Sequence, residues 1–343
     1  MKGLKWLALI FVLAVSMPAS AGDVFDIKPV ADGVWAAIAK PHRPENCNSA
    51  IILLKGAVLV VDTTSTPSSA RELIREIKKL TDKPVRYVVN THFHWDHYWG
   101  NEAFVEAWPN VQIISSESTR LDMQRMGLGN PLLQRWQVEI PETIEKWKAD
   151  LPKTTDETER HKLQDRITKW GAAVEEFKKM HPALPNVTFD HDLILDDDAE
   201  RVEVLWLGRA HTPGDVVVYV PGKHVLASGD LLAGDTPYIG VVRPQEWIQT
   251  LDELRNLEFD FVIPGHGDVM RGKDRLDLWK RYLADVIDET TKAYEQGASL
   301  DEAREAVVPI LKNRYASEFP PDFQFAVAGN VVTAYRMVSG RQN

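Results

Sequence analysis

Apolar positions in this chain first recur with the short period of strands and later with the three- and four-residue spacing of helices. Residues 26–40, holding Trp35 and Ile38 between Gly33 and Pro41, read as strand. Residues 48–54 and 57–61 are two strand-like runs joined at Lys55-Gly56, a hairpin junction. Asp62 closes the second run. Thr66 then stands as the cap of a helix with Pro67 in its first position, and Leu73, Ile74, Ile77 and Leu80 form that helix's apolar face. Residues 85–90 make the next strand. Gly100 and Asn101 lead into a helix through Phe104 and Val105. A strand at 111–115 follows, then a helix from about Ser116.

Residues 130–182 differ in character, being charged and poor in strand formers. Ile144, Trp147 and Leu151 recur at helical spacing. Leu163, Ile167, Trp170, Val174 and Phe177 continue it as a narrow seam. Pro152 separates the two runs, and Thr154 with Glu157 forms a capping-box pattern for the second. The expectation is a helical hairpin inserted into the main domain. It would serve as a lid, as a homodimer contact or as a self-packed decoration. Strands resume at 192–195, 202–207, 215–220 and 224–228. Near the C-terminus, Leu276, Trp279, Leu283, Val286, Thr290 and Tyr294 mark a long amphipathic helix ending at Gly297. Ser299 with Glu302 starts another. The division that follows is a leader at 1–21, a main domain at 22–129 and 183–272, the insertion at 130–182 and a helical extension at 273–343.

The leader changes the picture of charge and compartment. Lys2 and Lys5 precede an apolar run from Leu7 to Val15, and Ala19-Ser20-Ala21 has the small residues of a cleavage site. Cleavage after Ala21 implies a periplasmic or secreted protein, with no membrane anchor left. A processed chain would carry a net charge of −12 rather than −10, which argues against nucleic acid as a partner. Cys47 is the single cysteine, so an internal disulfide is excluded. It reads as a small buried hydrophobe.

The chemistry is concentrated in Thr91-His92-Phe93-His94-Trp95-Asp96-His97, at the end of the strand at 85–90. Side chains two apart share a face in extended chain, so His92 and His94 point the same way. A turn through Trp95 brings Asp96 and His97 alongside. Such a set suits one or two divalent metals of the zinc type. Three further short sites follow at predicted strand ends: His211 in a Gly-Arg-Ala-His-Thr-Pro-Gly run, Asp230 after Ser228-Gly229, and His266 in Pro-Gly-His-Gly. His42, His161, His181, His191 and His224 fall in no such pattern and read as non-ligands, with His42 and His224 expected near the cleft.

This ordered set, His-x-His-x-Asp-His followed by His, Asp and His, resembles the metallo-β-lactamase superfamily over roughly residues 30–125 and 185–270. The resemblance implies an α/β fold, an αββα four-layer sandwich with the metals at one sheet edge. Carried over by motif, His92, His94 and His211 would hold one Zn(2+) and Asp96, His97 and His266 a second, with Asp230 bridging; other divalent metals fit the same donors. Asp62 matches an aspartate that supports such sites from behind. Asp96 would also accept or relay a proton, which makes it the catalytic candidate beside the metals. The aspartate at 230 resembles the glyoxalase II and lactonase branch, whereas zinc β-lactamases of this superfamily usually carry cysteine or serine there. Tyr98-Trp99-Gly100 keeps only the second of the two glycines usual in that branch.

The function implied is an exported dinuclear zinc hydrolase of a small molecule. A water activated by the metals would cleave an ester-, lactone-, thioester- or amide-like bond. β-Lactam cleavage, an iron-dependent persulfide dioxygenase-like activity and a non-catalytic binding role remain as alternatives. Ser228 has no base and orienter and reads as structural. Trp95, Tyr98 and Trp99 form either an apolar substrate wall or the core beneath the site, and Tyr238 is a further wall candidate.

Overall fold

The computed structural model describes residues 24–40, 47–127, 135–197, 200–240, 242–320 and 323–340. The expected leader at 1–21 and His42 lie outside the described residues. Two mixed sheets stack face to face. The first runs in chain order, β1 (Phe25–Ala31), β2 (Val34–Ala39), β3 (Ser49–Leu53), β4 (Val58–Val61), β5 (Val85–Val89), β6 (Gln112–Ser116) and β7 (Val187–Phe189). The second comprises β8 (Asp192–Asp196), β9 (Arg201–Leu205), β10 (Val217–Val220), β11 (Val225–Gly229), β12 (Phe261–Pro264) and β13 (Met270–Arg271), ordered β13-β12-β11-β10-β9-β8. β4 to β7 pair in parallel, as do β11 and β12.

Side-chain alternation builds the layers. In β4, Leu59 and Val61 face the inter-sheet core, while Val58 and Val60 face the outer core. In β10, Val218 and Val220 face inward, while Val217 and Tyr219 meet the helices on the other side. Both strands are therefore apolar throughout, because both their faces are covered. The helices Pro67–Leu80 and Asn101–Ala107 cover the first sheet. The helices Pro244–Arg255, Asp274–Glu295, Leu300–Tyr315 and Phe323–Val338 cover the second. The result is the four-layer αββα sandwich.

Thr66 caps the first helix, accepting from Ser69 N at 3.1 Å, with Pro67 in its opening turn. Ser299 and Glu302 form the expected capping box. Other expectations need correction. Residues 26–40 are two antiparallel strands, because Gly33 at φ +74 turns the chain between them. The helix Glu157–Phe177 is capped by Asp156, which accepts from Glu159 N at 2.9 Å. The Thr154 hydroxyl instead donates to Asp150 O at 3.0 Å and closes the preceding helix, Ile140–Asp150.

The pair Ile140–Asp150 and Glu157–Phe177 does not pack only on itself. Phe177 and Met180 are buried with Tyr98, Trp99 and Met123 in a cluster that also receives Trp95 and Trp170. This segment therefore buttresses the loop that follows β5. The three C-terminal helices share one core with β10, β11 and β12. Among the described residues no helix is long and apolar enough to cross a membrane.

Candidate metal centre

Parallel strands deliver their following loops to one edge of the sandwich, the usual place for a site in mixed α/β sheets. β5 ends at Val89 and leads into the loop with His92 and His94 and the short helix Trp95–Tyr98 with Asp96 and His97. The turn after β9 brings His211, β11 ends beside Asp230, and β12 ends two residues before His266. All seven residues converge.

Two groups share Asp230. In the first, His94 Nδ1 lies 3.1 Å from His92 Nε2 and 2.8 Å from His211 Nε2. Asp230 Oδ2 stands 3.8 Å from His92 Nε2 and 3.6 Å from His211 Nε2. In the second, Asp96 Oδ2 lies 3.1 Å from His266 Nε2 and 3.5 Å from His97 Nε2. Asp230 reaches this group with both oxygens, Oδ1 at 3.5 Å from His97 Nε2 and Oδ2 at 3.6 Å from His266 Nε2.

The donors fit a pair of cations. His97 Nε2 and Asp230 Oδ1 are buried and have no hydrogen-bond partner, an arrangement that needs an external partner. Gly265 closes the site tightly, and a Cβ there would collide with Asp230 Oδ1 and crowd His97. Burial, reinforced by neighbouring imidazoles, pushes His92 well below the ordinary histidine range and His94 down to about 3. Burial also lowers His211. These rings are neutral at pH 7, the form that ligates metal. At His266 burial opposes the charge, but Asp230 and Asp96 outweigh it and pull the ring up to about 10. Burial opposes ionisation of Asp230 as well, yet His266 and His97 hold it well below the usual carboxylate range.

At His92, His97 and His211 the inward nitrogen is oriented by what holds the other one. His97 Nδ1 meets Asp62 Oδ2 at 2.7 Å. Asp62 also accepts from Thr91 N and Thr91 Oγ1, both at 2.8 Å. Thr91 Oγ1 lies 3.1 Å from His92 Nδ1. One carboxylate thus orients His97 directly and His92 through a hydroxyl. Asp62 sits at φ +60, a left-handed conformation that asparagine and aspartate tolerate better than most residues. His211 Nδ1 faces Tyr238 O at 3.1 Å. Asp215 accepts from Thr212 N at 2.8 Å and so fixes the turn after His211; burial raises its carboxyl to about 7. Asn48 donates to Pro264 O at 2.9 Å and Gly267 O at 2.7 Å, bracketing His266.

The other candidates are now placed. Trp99 and Tyr98 are buried beneath the site, while Trp95 lines the cleft. Tyr238 stands at the cleft, 58% exposed. The cleft measures about 400 Å³ and is also lined by Asp235, Thr236 and Ala326. No residue of the described insertion lines it; the described part packs beneath the loop after β5. Ser228 Oγ donates to Leu232 O at 2.6 Å, a structural role. Cys47 is buried, as expected, and burial pushes its thiol up to about 12. It lies beside Asp62 and His97, a proximity that its sequence neighbours do not signal. His161, His181, His191 and His224 join neither group, and His224 is exposed beside Asp260. Thr91, Asp215 and Asn48 were missed in the sequence. Only the Thr-x-x-Asp spacing at 212–215 offered a signal for them.

Comparison with known proteins settles the family. A profile of the metallo-beta-lactamase superfamily matches residues 42–266. The chain belongs to the metallo-beta-lactamase superfamily. It is 28% identical over 261 residues, 73% of its length, to a linear primary-alkylsulfatase of Pseudomonas sp. (strain ATCC 19151), covering 48% of that protein. It is 27% identical over 116 residues, 32% of its length, to a metallo-beta-lactamase type 2 of Bacteroides fragilis, covering 46% of that one. The chain thus spans about half the length of these curated relatives. A solved metallo-beta-lactamase from Pontibacter korlensis matches with a TM-score of 0.53 and 20% identity, covering 76% of this chain and 99% of that one. That likeness concerns the superfamily fold alone.

Proposed function

We propose that this member of the superfamily is an exported hydrolase that uses two zinc-type ions to cleave an ester-like bond of a small molecule. The observation that carries the reading is the pair of ligand groups sharing Asp230, with His97 Nε2 and Asp230 Oδ1 buried and unpartnered. His92, His94 and His211 would hold one ion, Asp96, His97 and His266 the other, and Asp230 both. Bound there, the ions would supply Lewis acidity and lower the pKa of a water. Asp96, at the cleft wall and beside His266, is placed to take up or pass on a proton. Trp95, Tyr238 and Ala326 give the cleft an apolar side for the substrate's body. Asp62, Thr91 and the Tyr238 carbonyl keep the imidazoles aimed.

Among ester-like substrates, a sulfate ester of an alkyl chain is favoured by the alkylsulfatase relative, whose likeness extends over 73% of this chain. Lactones, thioesters and amides, β-lactams among them, complete the panel. Export rests on the basic, apolar and small-residue order of 1–21. The test is metal analysis of the purified mature protein followed by that panel. Near two zinc ions per chain are expected, with hydrolysis lost to a chelator and restored by zinc. Retention of metal and activity in a His92→Ala, His211→Ala double variant would refute the assignment. A single iron with thiol-dependent oxygen uptake would replace it by the dioxygenase reading.

A further inference from the structure

Residues 233–239 follow Asp230 and form one side of the cleft, contributing Asp235, Thr236 and Tyr238. Their backbone is held by side chains from the C-terminal helices. Arg275, near the start of the helix Asp274–Glu295, donates to the carbonyl oxygens of Ala233 at 3.3 Å, Asp235 at 2.6 Å and Gly234. It also donates to Glu318 O at 3.1 Å and lies over the Phe319 ring. Asn330, in the helix Phe323–Val338, is fully buried. Its amide nitrogen donates to Pro237 O at 2.7 Å and to Tyr282 Oη at 2.8 Å, and its oxygen accepts from Ile239 N at 2.9 Å. The amide therefore grips the chain on both sides of Tyr238, as a neighbouring strand would, and leaves residue 238 to face the site. Tyr238 O meets His211 Nδ1, and its ring centroid lies 6.1 Å from that of His211.

We infer that Asn330 and Arg275 are positioning residues, through which the C-terminal helices clamp residues 233–239 so that the Tyr238 carbonyl holds the His211 ring with Nε2 toward the metal site. The inference rests on the dinuclear reading above. Its physical basis is that a ligand imidazole is fixed by the acceptor of its other N–H, and loss of such an acceptor typically weakens metal binding or activity by about 10- to 100-fold. Neither helix contributes a ligand. Through Arg275 and Asn330 each acts on His211 by way of the backbone of residues 233–239.

The test uses the full chain and cobalt(II) or zinc titrated against a competing chelator, with melting and circular dichroism recorded for every variant. Asn330→Asp removes the donor to Pro237 O and Tyr282 Oη and keeps the acceptor for Ile239 N, whereas Asn330→Ala removes all three contacts. The clamp predicts that one of two ions binds about 10- to 100-fold more weakly, with the cobalt absorption of that site altered and the other ion within about twofold. A residue that only stabilised the fold would lower the melting temperature and leave both affinities in place, and that result overturns the inference. An equal fall at both sites overturns it too. If the Asn330 variants fail to fold, Arg275→Met is judged by the same criterion. A wild-type chain that binds fewer than two ions removes the dinuclear reading and the clamp together. Two ions in the wild type with unaltered variants remove the clamp alone.

Discussion

Replacing Asp62 by asparagine tests the orientation of His97 directly and of His92 through Thr91. The carboxylate is buried and accepts three hydrogen bonds, from Thr91 N, Thr91 Oγ1 and His97 Nδ1. Asparagine preserves the volume and tolerates the φ of +60 at this position. Its oxygen can still accept from Thr91 N–H. Its NH2 group would then face His97 Nδ1 as a donor, which that nitrogen can meet only by giving up its proton. The ring would carry the proton on Nε2 instead, the atom that points at Asp96 and Asp230. That tautomer cannot ligate a cation. Loss of such a supporting group typically costs about 10- to 100-fold in metal affinity, or about 1.4–2.8 kcal/mol. The metal-free fold should also lose about 1.5–3 kcal/mol, the worth of a hydrogen bond to a charged group. Chelator competition reads the first quantity and urea unfolding the second. The ion of the Asp96, His97 and His266 group should weaken most, and the other ion less, because His92 feels Asp62 only through the Thr91 hydroxyl. Wild-type affinity for that ion in the asparagine variant would show that Asp62 does not set the His97 tautomer.

Other outcomes follow from the same geometry. Loading the first group at pH 7 should release little proton, since burial keeps His92, His94 and His211 neutral, whereas loading the second should release protons from His266, held up at about 10, and from His97, whose charge burial opposes but whose acidic neighbours hold it well above the ordinary range; calorimetry in buffers of different ionisation enthalpy measures both, and equal release at the two sites would contradict the asymmetry. The sign is fixed by His266 being protonated below its raised pKa, so binding of the second ion should strengthen as pH rises toward 10. Gly265→Ala forces a methyl onto Asp230 Oδ1, and should depress binding of both ions, because Asp230 serves both groups; unaltered binding in a folded variant would count against the shared role. Trp99→Ala empties a fully buried position under the ligand loop and should destabilise the chain by about 3–5 kcal/mol, read as a shift of the urea midpoint.

The ligand cluster was legible because its chemistry is local. Four donors in six residues at a strand end leave few other readings, and the later His, Asp and His gained meaning from their order. Caps were legible where a side chain closes its own helix, as at Thr66 and Ser299. They were misread at Thr154, whose hydroxyl turns back to Asp150. The helix Phe323–Val338 falls within the expected helical extension but was not delimited, although Val327, Val331 and Ala334 mark a seam. The helix Pro244–Arg255 and the short strands β7 and β13 were missed, the strands being only three and two residues long. Asn330 and Arg275 were beyond sequence reading for a deeper reason. Their partners are backbone carbonyls and an amide, which every residue carries.

The ligands also divide between the two halves of the sandwich. His92, His94, Asp96 and His97 hang from the first sheet, and His211, Asp230 and His266 from the second. Bound cations would rivet one half to the other across the shared core, in a chain whose lone cysteine rules out a covalent cross-link of its own. Ion binding to the native form alone raises stability by mass action, about 2.7 kcal/mol at a hundredfold excess over the dissociation constant. Stripping the ions should therefore weaken the seam between the halves before it disturbs either sheet.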